Sequence, residues 1–399
     1  KQFRSGLSVS PNVQYTQTDD RDATNPNRDD TSLNFTVTVP LLKNRGREAA
    51  AGDEMAARAT HEQSRFDLLD TVAVNILQTA QAYWEYAACA EELDILIKAE
   101  ARAHKLISDT RRLIEADQRP AADIDQLEAN LNDKVVQRIS REQRLIGAQH
   151  DLGIAMGLPS REIDLLPRPT NSFPVFAEAR LDPGACDEAF LHTACLRRAD
   201  YKAAQQSEES ARLLRNYAKY GKRHQLDLVL NSAYAGMDEG QGSENGSEYS
   251  AVIQYQVPLG NTEAGGTLMK REAEYQQAVI RLANTERIVR SGIILAYQQL
   301  DRSIQAWSHT RDSALSYQKA VSNEMSRLRA GLSTVLDVVS LEDKRQEAFI
   351  AEVEARQQCA ECLLKLQYET GNIIQPGDSA EAIDLKTFME LPEFVRKTP

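Results

Sequence analysis

Leu33-Asn34-Phe35-Thr36-Val37-Thr38-Val39-Pro40-Leu41 alternates an apolar side chain with a small polar one and then stops at a proline. That period belongs to a strand, whose successive side chains point to opposite faces. The same construction returns downstream. Tyr249, Ala251, Ile253, Tyr255 and Val257 share one face, Ser250, Gln254 and Gln256 the other, and Pro258-Leu259 closes the run. Each of these strands is preceded by a less regular alternation: Leu7, Val9, Val13 and Tyr15 around Pro11, and Leu226, Leu228 and Leu230 around Asp227 and Asn231. Strands are therefore expected at about 3–18, 31–40, 224–237 and 248–258. The polar, acidic stretches at 18–32 and 237–248 read as hairpin loops. A strand of about 9–11 residues crosses a bilayer at a tilt. Membrane barrels need about eight strands, so four from one chain would have to combine with strands of other copies.

Outward from the strands, the two halves of the chain repeat each other. Tyr83 and Tyr297, Asp123 and Asp337, Leu127-Glu128 and Leu341-Glu342, Gln143 and Gln357, Leu152 and Leu366, and Gly157 and Gly371 all stand 214 residues apart. Val39-Pro40-Leu41 and Val257-Pro258-Leu259 stand 218 apart, so a four-residue indel lies upstream. The chain reads as a tandem duplication: a first repeat at 1–157, a linker at 158–180, a second repeat at 181–371 and a tail at 372–399. No proline occurs between Pro40 and Pro120 or between Pro258 and Pro376, and glycine is missing from Asp53 to Ile146. Leu68, Val72, Ile76, Tyr83, Ala87, Ala90, Leu93 and Ile97 trace one helical stripe. Long helices are expected at about 46–117, 121–157, 262–330 and 333–371, with a further helix at about 184–220. At about 1.5 Å per residue the first would run roughly 105 Å, which requires a bundle, coiled coil or tube.

The 399 residues carry a net charge of −12, with a pI near 5.2 and a mean hydropathy of −0.49. An acidic chain lacks the basic face that releases counterions from duplex DNA or RNA, so no nucleic-acid partner is expected. No stretch approaches the roughly 20 apolar residues of a membrane helix, which leaves strands as the only crossing elements. The six histidines have no i, i+4 pairing of a zinc helix. Cys359-Ala360-Glu361-Cys362 spells C-x-x-C inside an expected helix, away from the helix N-terminus that lowers a thiol pKa. Cys186 and Cys195 are close enough in sequence for a bridge to be an open question. Gly240, Gly242 and Gly246 fall in a hairpin loop, not a phosphate-binding strand–helix turn. With no nucleophile–base set and no cofactor motif, the reading is of a non-enzymatic protein without a cofactor or metal.

Two further motifs carry a resemblance. Gly331-Leu332-Ser333-Thr334-Val335-Leu336-Asp337-Val338-Val339, followed by Leu341-Glu342, is similar to the Gly-x-x-Ser/Thr-x-x-Asp-Val signature of TolC-like outer-membrane efflux proteins. Arg198-Ala199-Asp200-Tyr201 resembles the Arg-Pro-Asp-Leu element that opens their second repeat, with Ala199 in place of proline. The resemblance extends over nearly the whole chain. It implies a mainly α protein with membrane β: as a homotrimer, a 12-stranded barrel in the outer membrane of a Gram-negative bacterium, continued by a long α-helical barrel in the periplasm. It also implies a passive exit duct of a tripartite efflux pump or type I secretion system, in contact with outer-membrane lipid, a periplasmic adaptor (membrane fusion) protein and an inner-membrane transporter. The helix turns become the periplasmic tip and adaptor-docking sites, namely Asp117, Arg119, Pro120 and Asp123 in the first repeat and Gly331, Leu332, Ser333, Thr334 and Asp337 in the second. Asp337 matches a pore-narrowing carboxylate, and Ser340 stands where some relatives carry a second aspartate. Read physically, Gly331 ends one helix, Ser333 or Thr334 caps the next, and Asp337 lies in its first turns, so capping alone is the competing role. Two other classes remain open from the residues: a soluble long coiled-coil scaffold, and a surface-exposed adhesion or secretion factor.

Overall fold

A computed structural model describes residues 1–19, 27–115, 120–175, 188–238, 243–374 and 386–390. Two compact units emerge, each drawn from both halves of the chain: Lys1–Asp67 with Asp200–Thr285, and Leu68–Ala199 with Glu286–Pro399.

The first unit holds a four-stranded antiparallel sheet of β1 (Ser8–Asp19), β2 (Asn27–Pro40), β3 (Gln225–Asp238) and β4 (Ser243–Gln256), in that order. Two hairpins supply the outer pairings, and β2 with β3 joins them along Pro40–Asp227 to Asp29–Asp238. β2 and β4 each lead into helix through left-handed backbone. Asn44 (φ 64°) and Gly46 (φ 91°) precede α1 (Arg47–Ala50) and α2 (Gly52–Glu115); Gly260 (φ 83°) and Asn261 (φ 30°) precede α7 (Thr262–Arg329). Gly6 faces the Asn44 carbonyl so closely that a Cβ would lie 2.0 Å from its oxygen. Sequence periodicity suggests one helix from about 46, but the structure breaks it at Ala51, where φ is −122°. The opening of α2 packs on α6 (Ala199–Gly221): Ser210 and Thr60 hydroxyls meet at 3.1 Å, and a Cβ on Gly52 would come within 2.7 Å of Tyr217.

The second unit is all helical: α2 from Leu68, α3 (Ala122–Ala155), α4 (Ser160–Ile163), α5 (Glu188–Arg197), α7 from Glu286, α8 (Val335–Glu369) and α9 (Lys386–Met389). Ala87, Ala88 and Trp84 of α2 share a core with Val353, Ala360 and Leu364 of α8, together with Phe173, Ile373 and Phe388. Small residues let these helices approach while Trp84 and Phe173 fill the volume, their ring centroids 5.2 Å apart. Ala296, Leu300, Ile304 and Trp307 of α7 bury against Cys359, Cys362, Leu363 and Leu366 of α8. Cys359 and Cys362 thus serve as small core residues, and burial pushes the Cys359 thiol up to about 11. Cys186 lies outside the described residues.

Gly157 (φ 71°) and Gly371 (φ 69°) end α3 and α8 in the same way. Leu158 N–H donates to Gly153 O, and Asn372 N–H donates to Gln367 O, both at 2.9 Å. These are six-to-one closures of a helix end, which need a left-handed residue and therefore favour glycine. The helix expected at 184–220 divides into α5 and α6, with Arg198 at the break. Its guanidinium donates to the Tyr368 carbonyl (3.3 Å) and to Glu369 (2.9 Å) and lies over the Tyr368 ring at 4.3 Å. The buried charge-assisted contacts of Arg198 occupy the junction that continuous helical periodicity would smooth over. Among the described residues, no helix is long and apolar enough to cross a membrane, and no cluster of histidine, cysteine and carboxylates could hold a metal.

Candidate functional site

The register of the sheet sorts its side chains by parity. Val9, Pro11, Val13 and Tyr15 lie opposite Val37, Phe35, Leu33 and Thr31; Val37, Leu33 and Val39 pair with Leu230, Tyr234 and Leu228; Leu228 and Leu230 pair with Ile253 and Ala251. That face is mainly apolar across the four strands, with Thr31 and Ser232 set among the apolar residues, yet exposed: Phe35 is 47%, Ile253 70% and Tyr249 79% accessible. A contiguous exposed apolar surface of this kind marks contact with lipid or protein. The opposite face carries Ser10, Asn12, Gln14, Thr36, Asn34, Ser32, Asn231 and Ser250, interrupted by the Val229–Val252 pair, with Thr36 donating to Asn231 at 2.9 Å. Among the described residues, β4 has an unpaired outer edge, and β1 has one apart from a single bridge between Gln2 and Ser8. Open edges are pairing templates for other strands.

The second candidate site is the α7–α8 turn. Gly331 (φ 74°) lets Leu332 N–H reach back to Arg327 O at 2.9 Å, closing α7. Thr334 begins α8 with a reciprocal cap: its hydroxyl accepts from Asp337 N–H at 3.2 Å, and its own N–H donates to the Asp337 carboxylate at 3.1 Å. The Thr334 hydroxyl also donates to that carboxylate at 2.6 Å. Ser333 bonds Glu324, which pairs with Arg327 at 3.0 Å. The Thr334 hydroxyl first, then its backbone N–H, holds the Asp337 carboxyl below the usual aspartate range. Of the two caps open in the sequence, the structure selects Thr334. Val335 and Val338 turn inward, whereas Leu332 and Leu336 are 71% and 61% exposed. Asp337 and Ser340 both lie on the exposed side of α8.

At the α2–α3 turn, Asp117 and Arg119 lie outside the described residues. Pro120 is exposed, and its carbonyl accepts from Asp123 N–H at 3.2 Å in the first turn of α3. The two turns share one small core, with Ile107 and Leu127 against Leu328, Val335 and Val338. Behind it runs a polar ladder that motif reading passes over. Buried Lys134 pairs with Asp343 at 2.6 Å and donates to Gln346 at 2.8 Å, and Gln346 donates to Gln137 at 2.7 Å. Nearby, Arg102 and Arg345 share the Glu342 carboxylate at 3.2 and 2.5 Å. Its only trace in the sequence is Lys134 at spacings of seven and three from Leu127 and Leu131, a charge on an apolar stripe.

No protein-family model matches the chain. A protease secretion protein, PrtF of Dickeya chrysanthemi, is 24% identical over 333 residues, covering 79% of this chain and 67% of that protein. The CmeC outer membrane channel of Campylobacter jejuni superposes with a TM-score of 0.72 at 13% identity, over 98% of this chain and 83% of that one. VceC, an outer membrane protein of Vibrio cholerae, superposes at 0.67 with 17% identity, over 92% and 87%. The sheet, the paired long helices and their turns thus have the fold of TolC-like outer-membrane channel proteins, as the motif resemblance implies.

Proposed function

We propose that this chain is the subunit of an outer-membrane exit duct, a passive channel that three copies complete by closing their sheets into one 12-stranded barrel. The observation that carries the reading is the sheet: one face apolar and exposed, the other lined with Ser, Thr, Asn and Gln, and open outer edges. Four strands cannot enclose a lumen, whereas twelve can, with the apolar face toward lipid and the polar face toward water. A soluble scaffold leaves that exposed apolar face without a purpose. The helices then continue into the periplasm as a tube, non-enzymatic, serving a tripartite efflux pump or, as the PrtF likeness suggests, a type I secretion system. The strand–strand–helix–helix duplication supplies two equivalent segments per copy.

The helix turns form the periplasmic tip in this reading. Asp117, Arg119, Pro120 and Asp123, with Gly331, Leu332, Ser333, Thr334 and Asp337, meet the adaptor and through it the inner-membrane transporter. Exposed Leu332 and Leu336 supply apolar contact there. Asp337, with Ser340 beside it, narrows the pore, its carboxylate kept ionised by its cap. Purified protein in detergent is expected to show a trimeric mass and to open single channels in planar bilayers. A soluble monomer without conductance overturns the duct. Unchanged conductance and divalent-ion block in Asp337→Ala would remove only the constriction.

A further inference from the structure

Behind the helix turns lies a cavity of about 200 Å³ whose walls come from α2, α3, α7 and α8. Leu106, Met325, Val338 and Val339 give it an apolar floor. Its charge balance is unusual for an acidic chain. Arg102, Lys105, Lys134 and Arg329 line it against only Asp109 and Glu342, a surplus of two positive charges in a protein whose net charge is −12. Adding the flanking Asp343 and Arg345 leaves the surplus at two.

The cations fall into two groups. Lys134 is buried and committed, held by Asp343 and Gln346. Arg102 gives only its Nε to Glu342, at 3.2 Å, and Arg345 shares the same carboxylate. Among the described residues, the side chains of Lys105 and Arg329 make no salt bridge or hydrogen bond. Donors that converge on a concave apolar floor without their full complement of acceptors are the composition of a ligand pocket. A guanidinium at such a site favours planar two-oxygen acceptors.

We propose that this cavity binds a small organic anion, a carboxylate with a short aliphatic or aromatic body, its apolar part on Leu106, Met325 and Val339 and its charge at Arg102 and Arg329. The site is independent of the duct reading and would exist in a scaffold of the same fold. The probe is sodium octanoate, titrated calorimetrically into the full chain in zwitterionic nanodiscs, or in plain buffer should the chain prove water-soluble, with the same medium lacking protein as the blank. Saturable binding below about 1 mM is expected. Octanamide, the same body without charge, should bind at least about tenfold more weakly, as should octanoate to Arg329→Gln and Arg102→Gln. Arg329 is exposed and unpaired, so its substitution leaves the fold intact. Equal binding of octanoate and octanamide overturns the proposal. So do unchanged affinity in both variants and the absence of saturable binding, the last being expected if a neighbouring copy fills the cavity.

Discussion

Thr334 and Asp337 satisfy each other's backbone N–H groups at a helix start that would otherwise expose them to water. Thr334→Ala should therefore loosen the start of α8 by about 1 kcal/mol, seen as faster amide exchange at Asp337 and Val338. Because the cap depresses the Asp337 pKa, its contribution is present above the ordinary aspartate value. It is lost as pH falls through the lower folded value. Glu92 titrates in the opposite sense. It is wholly buried, with Arg141 at 2.7 Å and Arg144 at 3.5 Å but no aligned hydrogen bond to its oxygens. Burial pushes its carboxyl up more than the arginines pull it down. A raised folded pKa adds stability as pH falls through it, so the melting temperature of the helical unit should rise on mild acidification. Glu92→Gln should flatten that rise in a series of melts taken as the pH is lowered toward the ordinary glutamate value.

At the scale of the element, a one-residue change of position on β2 reverses the consequence of a charge. Phe35→Arg places a cation on the apolar face and should cost about 2–4 kcal/mol in a bilayer, preventing assembly in a detergent-gel assay. Asn34→Arg, one residue away, should assemble and instead shift ion selectivity toward anions. The strands were legible because Leu33 to Val39 obey a period of two with no exception, and the paired β1, β3 and β4 follow the same parity apart from Ser232 and the Val229–Val252 pair. The turn was legible because Gly331 and Thr334 act through local backbone geometry that three or four residues encode. Arg198 and the Lys134 ladder were not. Their partners, Glu369 and Asp343, lie over a hundred residues away, and no local pattern announces a pairing made only when helices meet. For Lys134 the sequence offered a charge on a stripe, which usually means solvent and here means an internal contact. Lys134→Met should test its part: it strips buried Gln346 of its donor and Asp343 of its cation, so the protein should melt lower and α3 and α8 should cross-link less uniformly.

For the whole molecule, the order in which the strands pair sets how the protein can be made. β1 with β2 and β3 with β4 are neighbours in the chain and can zip within microseconds. β2 with β3 is different: Pro40 meets Asp227 only after every helix from α1 to α6 has been synthesised between them. Loop-closure entropy makes such a contact late and slow. During that interval each finished hairpin carries an apolar face and two bare edges, and nothing local tells it whether the hairpin arriving beside it comes from its own chain or another copy's. Refolding should therefore have a phase whose yield depends on concentration, with crowded copies exchanging hairpins between chains. The central seam of the sheet is thus a kinetic checkpoint as well as a row of hydrogen bonds.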